Sequence, residues 1–416
     1  MYESEAMASL FKNKGYEVIF GREKADIYVI NTCTVTGTGA QKSRQQIRRV
    51  KRENPDSILA VCGCLAQTEA EKLRLEMDID VLLGNKYRNR IVDMVEDAIN
   101  GRKSDYVENI LKETSYEELC VTQSQSRVRA NIKIQDGCNN FCSYCIIPFA
   151  RGPVRSRSLD KIKEEALALG KSGYGEVVLT GIHIASYGKD LDNKVSLIDV
   201  IEAVHLVDGI KRIRLGSLEP IAITEDFVSR ASKLEKLCPQ FHLSLQSGCD
   251  ETLKRMRRHY TTDEFLRAVN LLRSAIPDTS ITTDLMVGFA GETDEEFKNS
   301  YEFCKKIGFS QMHIFPYSIR KGTAAENFPN QVSELVKTQR SHTMLKLAEE
   351  MKEVFYKKYI GKTLPVLLEQ KKNNFLHGTT ANYMDVLLNV DAGISGEIVN
   401  VLITDYQDEN LIGEMV

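Results

Sequence analysis

Three cysteines stand close together in this chain, at a spacing that suits an iron–sulfur cluster. Cys138, Cys142 and Cys145 follow one another as C-x3-C-x2-C. Cysteine thiolates are the usual ligands of a [4Fe–4S] cluster, so three of them can hold three of its four irons. The fourth iron is then left open and can bind and cleave a cofactor. We therefore expect a cluster that does chemistry, because a cluster held by four cysteines mainly carries electrons.

Zinc is the alternative metal for such a triplet. A zinc site needs a fourth ligand at a spacing such as C-x2–4-C or H-x3–5-H. The nearest candidates, His183 and Cys120, do not stand at that spacing. The pattern favours iron–sulfur over zinc, and also over a set of buried thiols.

The framework that must position the triplet is a series of about six strand–helix units between residues 129 and 357. Such a series predicts a parallel, curved sheet that closes partly or fully into a barrel. Catalytic groups of a barrel lie at the carboxyl ends of its strands, and the triplet follows the first of them. The expected strands are 130–135, 176–180, 211–216, 241–246, 281–287 and 313–317, and the helical patterns include 159–172, 196–207, 262–275 and 293–306.

An open, Rossmann-like α/β unit is predicted before the barrel. It begins with a helix, although sheets of this kind normally open on a strand, so we expect the first strand to be missing. A charged stretch at 101–127 is expected to be a linker with some structure of its own. The expected strands are 16–20, 27–31, 58–62 and 81–84, and the helices are 3–13, 38–52, 67–76 and 88–99.

A small β-barrel is predicted after the barrel, beyond a charged helical stretch at about 333–358. The chain there consists of short β-rich runs separated by Gly, Asn and Asp, which is typical of a barrel of roughly 60 residues. The expected strands are 364–369, 383–390, 396–404 and 411–415.

Composition limits the class of protein. The 416 residues allow two to three domains, and a net charge of −3 means that any basic surface for nucleic acid must be local. The sequence shows neither a signal peptide nor an apolar stretch of membrane-spanning length, so no membrane partner is expected. Ten cysteines without an export signal predict reduced thiols and a cytoplasmic location.

The chain resembles the radical S-adenosylmethionine (SAM) methylthiotransferases over essentially its full length. The runs Ile132–Cys138 and Cys145–Gly152 are most similar to the branch that modifies N6-threonylcarbamoyladenosine next to the tRNA anticodon. Other branches act on isopentenyladenosine in tRNA or on a ribosomal protein. The resemblance implies a methylthiotransferase domain at 1–105, a linker at 106–127, a radical-SAM core at 128–357 and an RNA-binding TRAM domain at 358–416.

The resemblance also implies the chemistry. Cys138, Cys142 and Cys145 would hold a cluster whose open iron binds SAM, and reduction would release a 5′-deoxyadenosyl radical that takes hydrogen from carbon 2 of the adenine. A second SAM donates the methyl group. The cofactor performs the hard step, and the protein supplies position and excludes water. The implied partners are tRNA, a sulfur donor and an electron donor such as flavodoxin or ferredoxin.

A second, auxiliary [4Fe–4S] cluster is implied for the N-terminal domain, where the family uses three cysteines. Cys33 in Asn-Thr-Cys and Cys64 in Gly-Cys match the second and third of them. The first is absent, and with the missing strand this predicts an N-terminally truncated chain or a wrongly chosen start codon. Cys62 is considered as a substitute on the same strand face as Cys64, but a buried thiol is favoured. For the chain as printed we expect a labile auxiliary cluster, and SAM cleavage without sulfur insertion.

Five residues near strand ends are candidates for binding SAM. Glycine lets the backbone approach a cofactor closely, and Ser217 and Glu219 can equally form a helix N-cap with an exposed acid. Tyr144 is expected to offer its backbone to the SAM adenine while its ring packs. The candidates are Tyr144, Gly181, Ser217, Glu219 and Gln246.

Asp284 stands in a strand that looks buried. A buried carboxylate needs a partner or a function. The sequence leaves a structural role and a catalytic role equally open for it.

Three basic groups are candidates for contact with RNA phosphates, although most charge runs are only solvated helix faces. The group just after the cysteine loop is the best placed of the three. The groups are 48–52, the trio Arg151, Arg155 and Arg157, and 254–258.

The leading function is tRNA methylthiotransfer to carbon 2 of N6-threonylcarbamoyladenosine. A methylthiotransferase of isopentenyladenosine tRNA or of a ribosomal protein is the alternative with the same chemistry. A non-catalytic iron–sulfur RNA-binding protein is the alternative from another class.

Overall fold

The structure is a computed structural model that describes residues 2–21, 23–120, 128–372, 375–389 and 395–416. Its N-terminal unit is a parallel sheet in the order β1-β2-β3-β4. The strands are β1 Ile27–Thr32, β2 Ile58–Gly63, β3 Val81–Leu83 and β4 Ser104–Tyr106. The helices are α1 Tyr2–Asn13, α2 Gly37–Glu53, α3 Cys64–Thr68, α4 Ala70–Glu76 and α5 Ile91–Ile99.

Helices cover both faces of this sheet. Apolar residues of α1 and α5 pack on one face, and those of α2, α3 and α4 pack on the other. A parallel sheet is normally covered on both faces in this way, and its strands are correspondingly apolar. The prediction of an open α/β unit is confirmed.

The predicted strand at 16–20 is wrong. These residues form no strand, and Ile19 and Phe20 are 50% and 64% exposed. Tyr16 instead packs its ring edge-on against Phe11, with the ring centroids 5.4 Å apart. Apolar and polar residues do alternate in this segment. Its apolar side chains pack against helix α1, and its backbone pairs with no neighbouring strand.

A partial barrel of parallel strands follows, in the order β5-β7-β8-β9-β10-β11, with the short β6 antiparallel to β5. A bridge between Leu218 and Leu243 joins its two halves. The strands are β5 Arg129–Asp136, β6 Arg155–Ser156, β7 Glu176–Gly181, β8 Arg212–Leu215, β9 Gln240–His242, β10 Ser280–Val287 and β11 Gln311–Pro316. The predicted barrel is confirmed. Strand β9 is shorter than expected, since beyond His242 the chain keeps only isolated bridges at Leu243 and at Gln246, whose φ is +65°.

Helices cover the outside of this barrel, and their apolar sides form one continuous core with the strands. Several begin with a side-chain cap, as at Thr261 and Thr293, where a Glu three residues later completes a capping box. The helices are α6 Ile147–Arg151, α7 Leu159–Lys171, α8 Leu197–His205, α9 Glu225–Ala231, α10 Asp250–Arg255, α11 Thr262–Ala275, α12 Asp294–Ile307 and α13 Glu334–Lys357.

The C-terminal unit is a closed barrel in the order β12-β13-β14-β16-β15. The sequence missed β13, because Gly378 and the polar residues around it hide the strand pattern. A side chain does not fit at Gly378, since a Cβ there would lie 2.4 Å from Cγ1 of Val366. The strands are β12 Thr363–Lys372, β13 Phe375–Thr380, β14 Asp385–Leu388, β15 Ile398–Gln407 and β16 Asn410–Met415.

Arginines at the amino ends of the larger barrel's strands hold the small barrel in place. Arg212 donates to the carbonyl oxygen of Pro365 at 2.7 Å, and Arg129 pairs with Glu369 at 2.6 Å. The small barrel therefore lies at the end opposite to the cysteine loop. In the described part of the chain, no helix is both long and apolar enough to cross a membrane.

Candidate active site

The cysteine loop leaves β5 through a turn that only glycine tolerates. Gly137 has φ of +73°, and a Cβ there would lie 1.8 Å from the carbonyl oxygen of Pro153. The amide of Cys138 then donates to the carbonyl oxygen of Gly152 at 3.0 Å. Ser143 fixes the middle of the loop, because its amide and hydroxyl donate to the carbonyl oxygens of Met256 and Arg255. The protein backbone alone thus presents the three thiols from one anchored loop.

The thiols of this loop are free, and they are partly or fully buried. Burial raises the pKa of Cys138 to about 11 and that of Cys145 to about 12. Iron cations favour the thiolate, so a cluster would replace the protons at these sulfurs. Nη1 of Arg258 donates to Sγ of Cys142 at 3.3 Å, which also stabilises negative charge on sulfur. This donor set fits a [4Fe–4S] cluster with one open iron.

Glu219 joins the groups beside the cysteine loop. Its carboxylate accepts from Nδ2 of Asn140 at 2.8 Å and contacts Nε2 of His183 at 3.0 Å and Nη2 of Arg258 at 2.6 Å. Burial raises the pKa of Glu219, but His183 and Arg258 outweigh burial and hold the pKa at about 2. Glu219 is therefore ionised, and it fixes Arg258 against Cys142 of the cysteine loop.

The end of β7 lies tightly against β5, as the glycine there suggested. A Cβ on Gly181 would lie 2.8 Å from the carbonyl oxygen of Gln135. The side chain of Gln135 accepts from the amide of His183 at 2.7 Å and donates to the carbonyl oxygen of Gly137. Gln135 thus links the β7 end to the turn that begins the cysteine loop.

The other candidates lie in three different settings. The ring of Tyr144 packs edge-on against Phe289, with the centroids 6.2 Å apart, as expected. Gln246 is buried, and its backbone amide donates to the backbone carbonyl oxygen of Asp284 at 2.9 Å. Ser217 is exposed and lines a cavity of about 730 Å³ inside the barrel. Their contact with SAM stays a prediction.

Cys33 and Cys64 lie side by side at the carboxyl edge of the N-terminal sheet. The parallel register pairs Thr32 with Gly63, and each cysteine is the next residue along its chain. The hydroxyl of Thr32 donates to the carbonyl oxygen of Cys62 and accepts the amide of Leu65, which ties the two chain ends together. Cys33 is exposed and Cys64 is buried.

The shared face expected for Cys62 and Cys64 stays a prediction, although the strand alternation on which it was based does not extend to Cys64. The strand ends at Gly63, whose φ of +95° breaks the alternation, and Cys64 is the first residue of α3. Cys62 points into the core, with its Sγ 3.8 Å from the sulfur of Met7, and burial raises its pKa to about 12. Cys62 is a packing residue.

Cys64 lies beside the helix that follows the cysteine loop. Helix α6 begins two residues after Cys145 and packs against α3, which begins with Cys64. Nε of Arg151, the last residue of α6, donates to Sγ of Cys64 at 3.1 Å. Asn85 donates to the carbonyl oxygen of Ala150 at 2.7 Å and lies 3.6 Å from the same sulfur. The tertiary fold therefore brings the cysteine loop and the N-terminal pair together.

Arg151, Arg155 and Arg157 do not face RNA, contrary to expectation. All three are buried, with Arg157 completely inaccessible. Arg151 and Arg155 pair with Asp136, and Arg157 pairs with Glu165. A charge run in sequence cannot reveal such long-range partners.

These arginines belong to a buried ionic network at the junction of the two α/β units. Glu3 of α1 pairs with Arg151, with Lys133 at 2.6 Å and with Arg88 at 2.7 Å. Burial raises the pKa of Glu3, but Arg151 and Arg88 lower it well below its ordinary value. The network therefore carries full charges and joins α1 to β5 and α6.

The other basic groups are only partly available to RNA. Lys254 and Arg257 are exposed beside Arg258, whereas Arg255 is paired with Glu296 at 2.6 Å. On α2, Arg48 pairs with Glu76, so much of that charge is neutralised.

Sequence reasoning missed the role of Arg258 and of Asn140. Arg258 was assigned to RNA because it ends a basic run, yet it contacts Cys142 and Glu219. Asn140 lies between two cysteines of the loop and reaches Glu219. Their position within or beside the motif is the only signal that could have identified them.

Two family models match this sequence. The Radical SAM superfamily matches residues 132–304, and the Uncharacterized protein family UPF0004 matches residues 1–84. The first range contains the cysteine loop, and the second contains Cys33 and Cys64.

Curated relatives match almost the entire chain. The threonylcarbamoyladenosine tRNA methylthiotransferase MtaB of Bacillus subtilis (strain 168) is 41% identical over 97% of this chain and 90% of that protein. The protein of the same name from Aquifex aeolicus (strain VF5) is 37% identical over 97% of both chains. A tRNA-2-methylthio-N(6)-dimethylallyladenosine synthase of Pelotomaculum thermopropionicum is 35% identical over 99% of this chain and 94% of that protein.

Solved structures share the fold at low sequence identity. The radical SAM methyltransferase TsrM from Kitasatospora setae, with cobalamin and a [4Fe–4S] cluster bound, has a TM-score of 0.59 at 15% identity and covers 78% of this chain and 73% of that one. The cobalamin-dependent SAM radical enzyme OxsB, with cobalamin and SAM bound, has a TM-score of 0.53 at 10% identity, covering 85% of this chain and 54% of that one.

Proposed function

The chain belongs to the family of radical-SAM tRNA methylthiotransferases, and we propose that it transfers a methylthio group to carbon 2 of N6-threonylcarbamoyladenosine in tRNA. The observation that carries this proposal is the contact of α3 with α6, which sets Cys64 against the helix that follows Cys145. Radical formation and sulfur supply must happen next to one another, because the reacting carbon has to meet both. The identity to relatives named for this substrate supports the choice of nucleoside.

Cys138, Cys142 and Cys145 would hold the [4Fe–4S] cluster in this proposal, and residues at the ends of β7 and β8 would bind SAM. When bound, the cluster and SAM supply a carbon radical strong enough to attack an unactivated C–H bond. Glu219 and Arg258 fix the charge beside Cys142, and the close approach of Gly181 to Gln135 shapes the end of β7. These residues hold the cofactor in position and exclude water.

Cys33 and Cys64 supply ligands for a second cluster in the same proposal. Both thiols lie at the end of neighbouring parallel strands, and Arg151 donates to one of them. A donor on sulfur stabilises thiolate charge. The cluster at this position would supply sulfur to the substrate held between the two units.

The small C-terminal barrel is assigned as an RNA-binding TRAM domain. It is a closed five-stranded barrel that is fixed to the larger barrel by Arg129 and Arg212. The exposed Lys254 and Arg257 at the mouth of the larger barrel supply phosphate contacts, which would make tRNA affinity depend on salt.

The test is an anaerobic assay of the protein with reconstituted clusters, dithionite, SAM and tRNA. With the auxiliary cluster reconstituted, we expect 5′-deoxyadenosine together with 2-methylthio product on tRNA that carries N6-threonylcarbamoyladenosine. Without that cluster, we expect 5′-deoxyadenosine alone. Product only on isopentenyladenosine tRNA, or only in a ribosomal protein, would contradict the proposed substrate. The absence of 5′-deoxyadenosine would contradict the assignment of the protein as a radical-SAM enzyme.

Cysteine variants separate the two sites. Cys142→Ser is expected to abolish 5′-deoxyadenosine formation, because the SAM-binding cluster loses one of its three ligands. Cys33→Ser and Cys64→Ser are expected to keep that product, lose methylthiolation and lower the bound iron. Cys120→Ser is the matched control, since Cys120 is an exposed thiol outside both groups. Equal iron content in Cys64→Ser and Cys120→Ser would rule out the second cluster site.

A further inference from the structure

Two histidines and an aspartate converge inside the barrel, away from all the cysteines discussed above. We propose that His242, Asp284 and His313 bind one divalent transition-metal ion. Each offers one ligand atom, and these three atoms all lie within 4.8 Å of one another. Two imidazoles and a carboxylate suit Zn²⁺, Mn²⁺, Fe²⁺ or Co²⁺, and three such ligands leave further positions for water or another oxygen or nitrogen ligand.

The strand register explains why these side chains meet. Asp284 of β10 lies directly opposite His313 of β11 in the parallel ladder. His242 of β9 lies opposite Thr282, which is two residues before Asp284 and therefore on the same face of β10. Three adjacent strands thus each present one ligand towards the barrel interior.

The hydrogen bonds around His242 leave one nitrogen for a metal. Nδ1 of His242 lies 3.0 Å from the hydroxyl of Thr282, which also accepts from Gln240 at 3.1 Å. With Nδ1 donating to Thr282, the lone pair of Nε2 faces Oδ2 of Asp284 at 3.4 Å. Nε2 is buried and has no hydrogen-bond partner among the described residues. A cation between Nε2 of His242 and Oδ2 of Asp284 would remove the repulsion between these two acceptors. A histidine that binds a metal through one nitrogen is commonly oriented by a hydrogen bond from its other nitrogen, as Nδ1 is here by Thr282.

The surrounding cavity can admit the ion. It has a volume of about 730 Å³ and lies towards the amino ends of β5, β9 and β11, next to the small barrel. Its two arginines are already paired with carboxylates, since Arg129 pairs with Glu369 at 2.6 Å and Arg214 pairs with Glu176 at 2.9 Å. In the described part of the chain, the only basic side chain within 4 Å of the Asp284 carboxylate is the imidazole of His242.

The test titrates the full chain with Mn²⁺ alone, after anaerobic reconstitution of its clusters. Mn²⁺ prefers oxygen and nitrogen to thiolate, so free cysteines interfere little, and electron paramagnetic resonance counts the free ion. We expect one tight Mn²⁺ per chain. His313→Ala and Asp284→Asn should weaken its binding by at least about tenfold, the lower bound known for losing even an indirect partner of a metal site.

His342→Gln is the matched control, because His342 is exposed on α13 away from the cavity. Absorption spectroscopy with Co²⁺ is a second measurement. Co²⁺ bound by nitrogen and oxygen ligands adds no sulfur-to-metal charge-transfer band, whereas Co²⁺ bound by cysteine does. Circular dichroism checks that Asp284→Asn, which keeps the size of the side chain, is folded. Equal Mn²⁺ affinity in the wild type and both ligand variants, or loss of affinity in the control as well, would overturn the site. Formation of 5′-deoxyadenosine is measured in parallel, so a failed metal site is distinguishable from a failed methylthiotransferase.

Discussion

Glu219 shows how a single carboxylate organises the surroundings of the cysteine loop. It is buried, yet it holds three partners, of which Arg258 contacts Cys142 directly. An ionised group in such a position is stable only because its partners replace the lost water. The sequence placed Glu219 near SAM, and the structure adds that it acts on the cluster loop through Arg258.

Replacing Glu219 should reveal this role. Glu219→Gln keeps the shape but removes the charge, so Arg258 is left buried beside Cys142 without its anion. We expect the free energy of unfolding to fall by about 3 kcal/mol at neutral pH, the equivalent of lowering the pKa from 4.5 to about 2. Chemical denaturation of the cluster-free protein measures this loss.

The pH dependence of that loss has a definite sign. The pKa of Glu219 is lowered in the folded state, so the ionised carboxylate stabilises the fold above pH 4.5 and this contribution disappears as pH falls through about 2. The difference between wild type and Glu219→Gln should therefore narrow as the pH is lowered. A difference that stays constant on acidification would contradict the role of the charge.

At the scale of elements, the turn between β5 and the cysteine loop decides whether the thiols converge. Gly137 combines a positive φ with a backbone oxygen in the place of any side chain. Any other residue at this position would suffer both backbone strain and a steric clash. At an ordinary glycine turn, a substitution causes backbone strain alone.

The replacement Gly137→Ala should therefore prevent the loop from forming in its present position. We expect a loss of stability above about 2 kcal/mol and a failure to incorporate iron at Cys138, Cys142 and Cys145. Gly308→Ala is the matched control, because Gly308 has φ of +63° with no atom within 4 Å of the added Cβ, and should lose only about 1 kcal/mol. Iron analysis after reconstitution compares the two, and equal iron content would refute the steric argument.

At the scale of the whole molecule, the two α/β units are held together by buried charges. Glu3 and Asp136 each pair with both Lys133 and Arg151, and Arg151 also donates to Cys64. Ion pairs of this kind are costly to bury and strongly destabilising to break, so they fix one arrangement of the units. The relative position of the two cysteine groups depends on that arrangement.

The variant Arg151→Met should loosen this junction. Since Glu3 keeps two other cations, we expect a loss of about 2 kcal/mol, less than the roughly 3–5 kcal/mol that leaving a buried charge without any partner costs. Faster hydrogen exchange should appear in α1 and α6. Arg49→Met is the control, because its exposed pair with Glu53 within one helix contributes little to stability. Similar losses in both variants would show that the network does not hold the units together.

The sequence by itself determined the cysteine motif, most strands and helices, the three-part order and the family. These features are local, since ligand spacing, alternation and helical periodicity are encoded within a few neighbouring residues. The strands at 16–20 and in β13 were misjudged, because a strand also needs a neighbour, which the local pattern does not show.

Only the tertiary structure decided which residues meet across the fold. It buried Arg151, Arg155 and Arg157, put Arg258 against Cys142, and brought His242, Asp284 and His313 onto one inner face. Arg258 and Cys142 are 116 residues apart in the chain, and Arg151 and Glu3 are 148 residues apart. Burial and pairing depend on distances through space, and no spacing along the sequence encodes them.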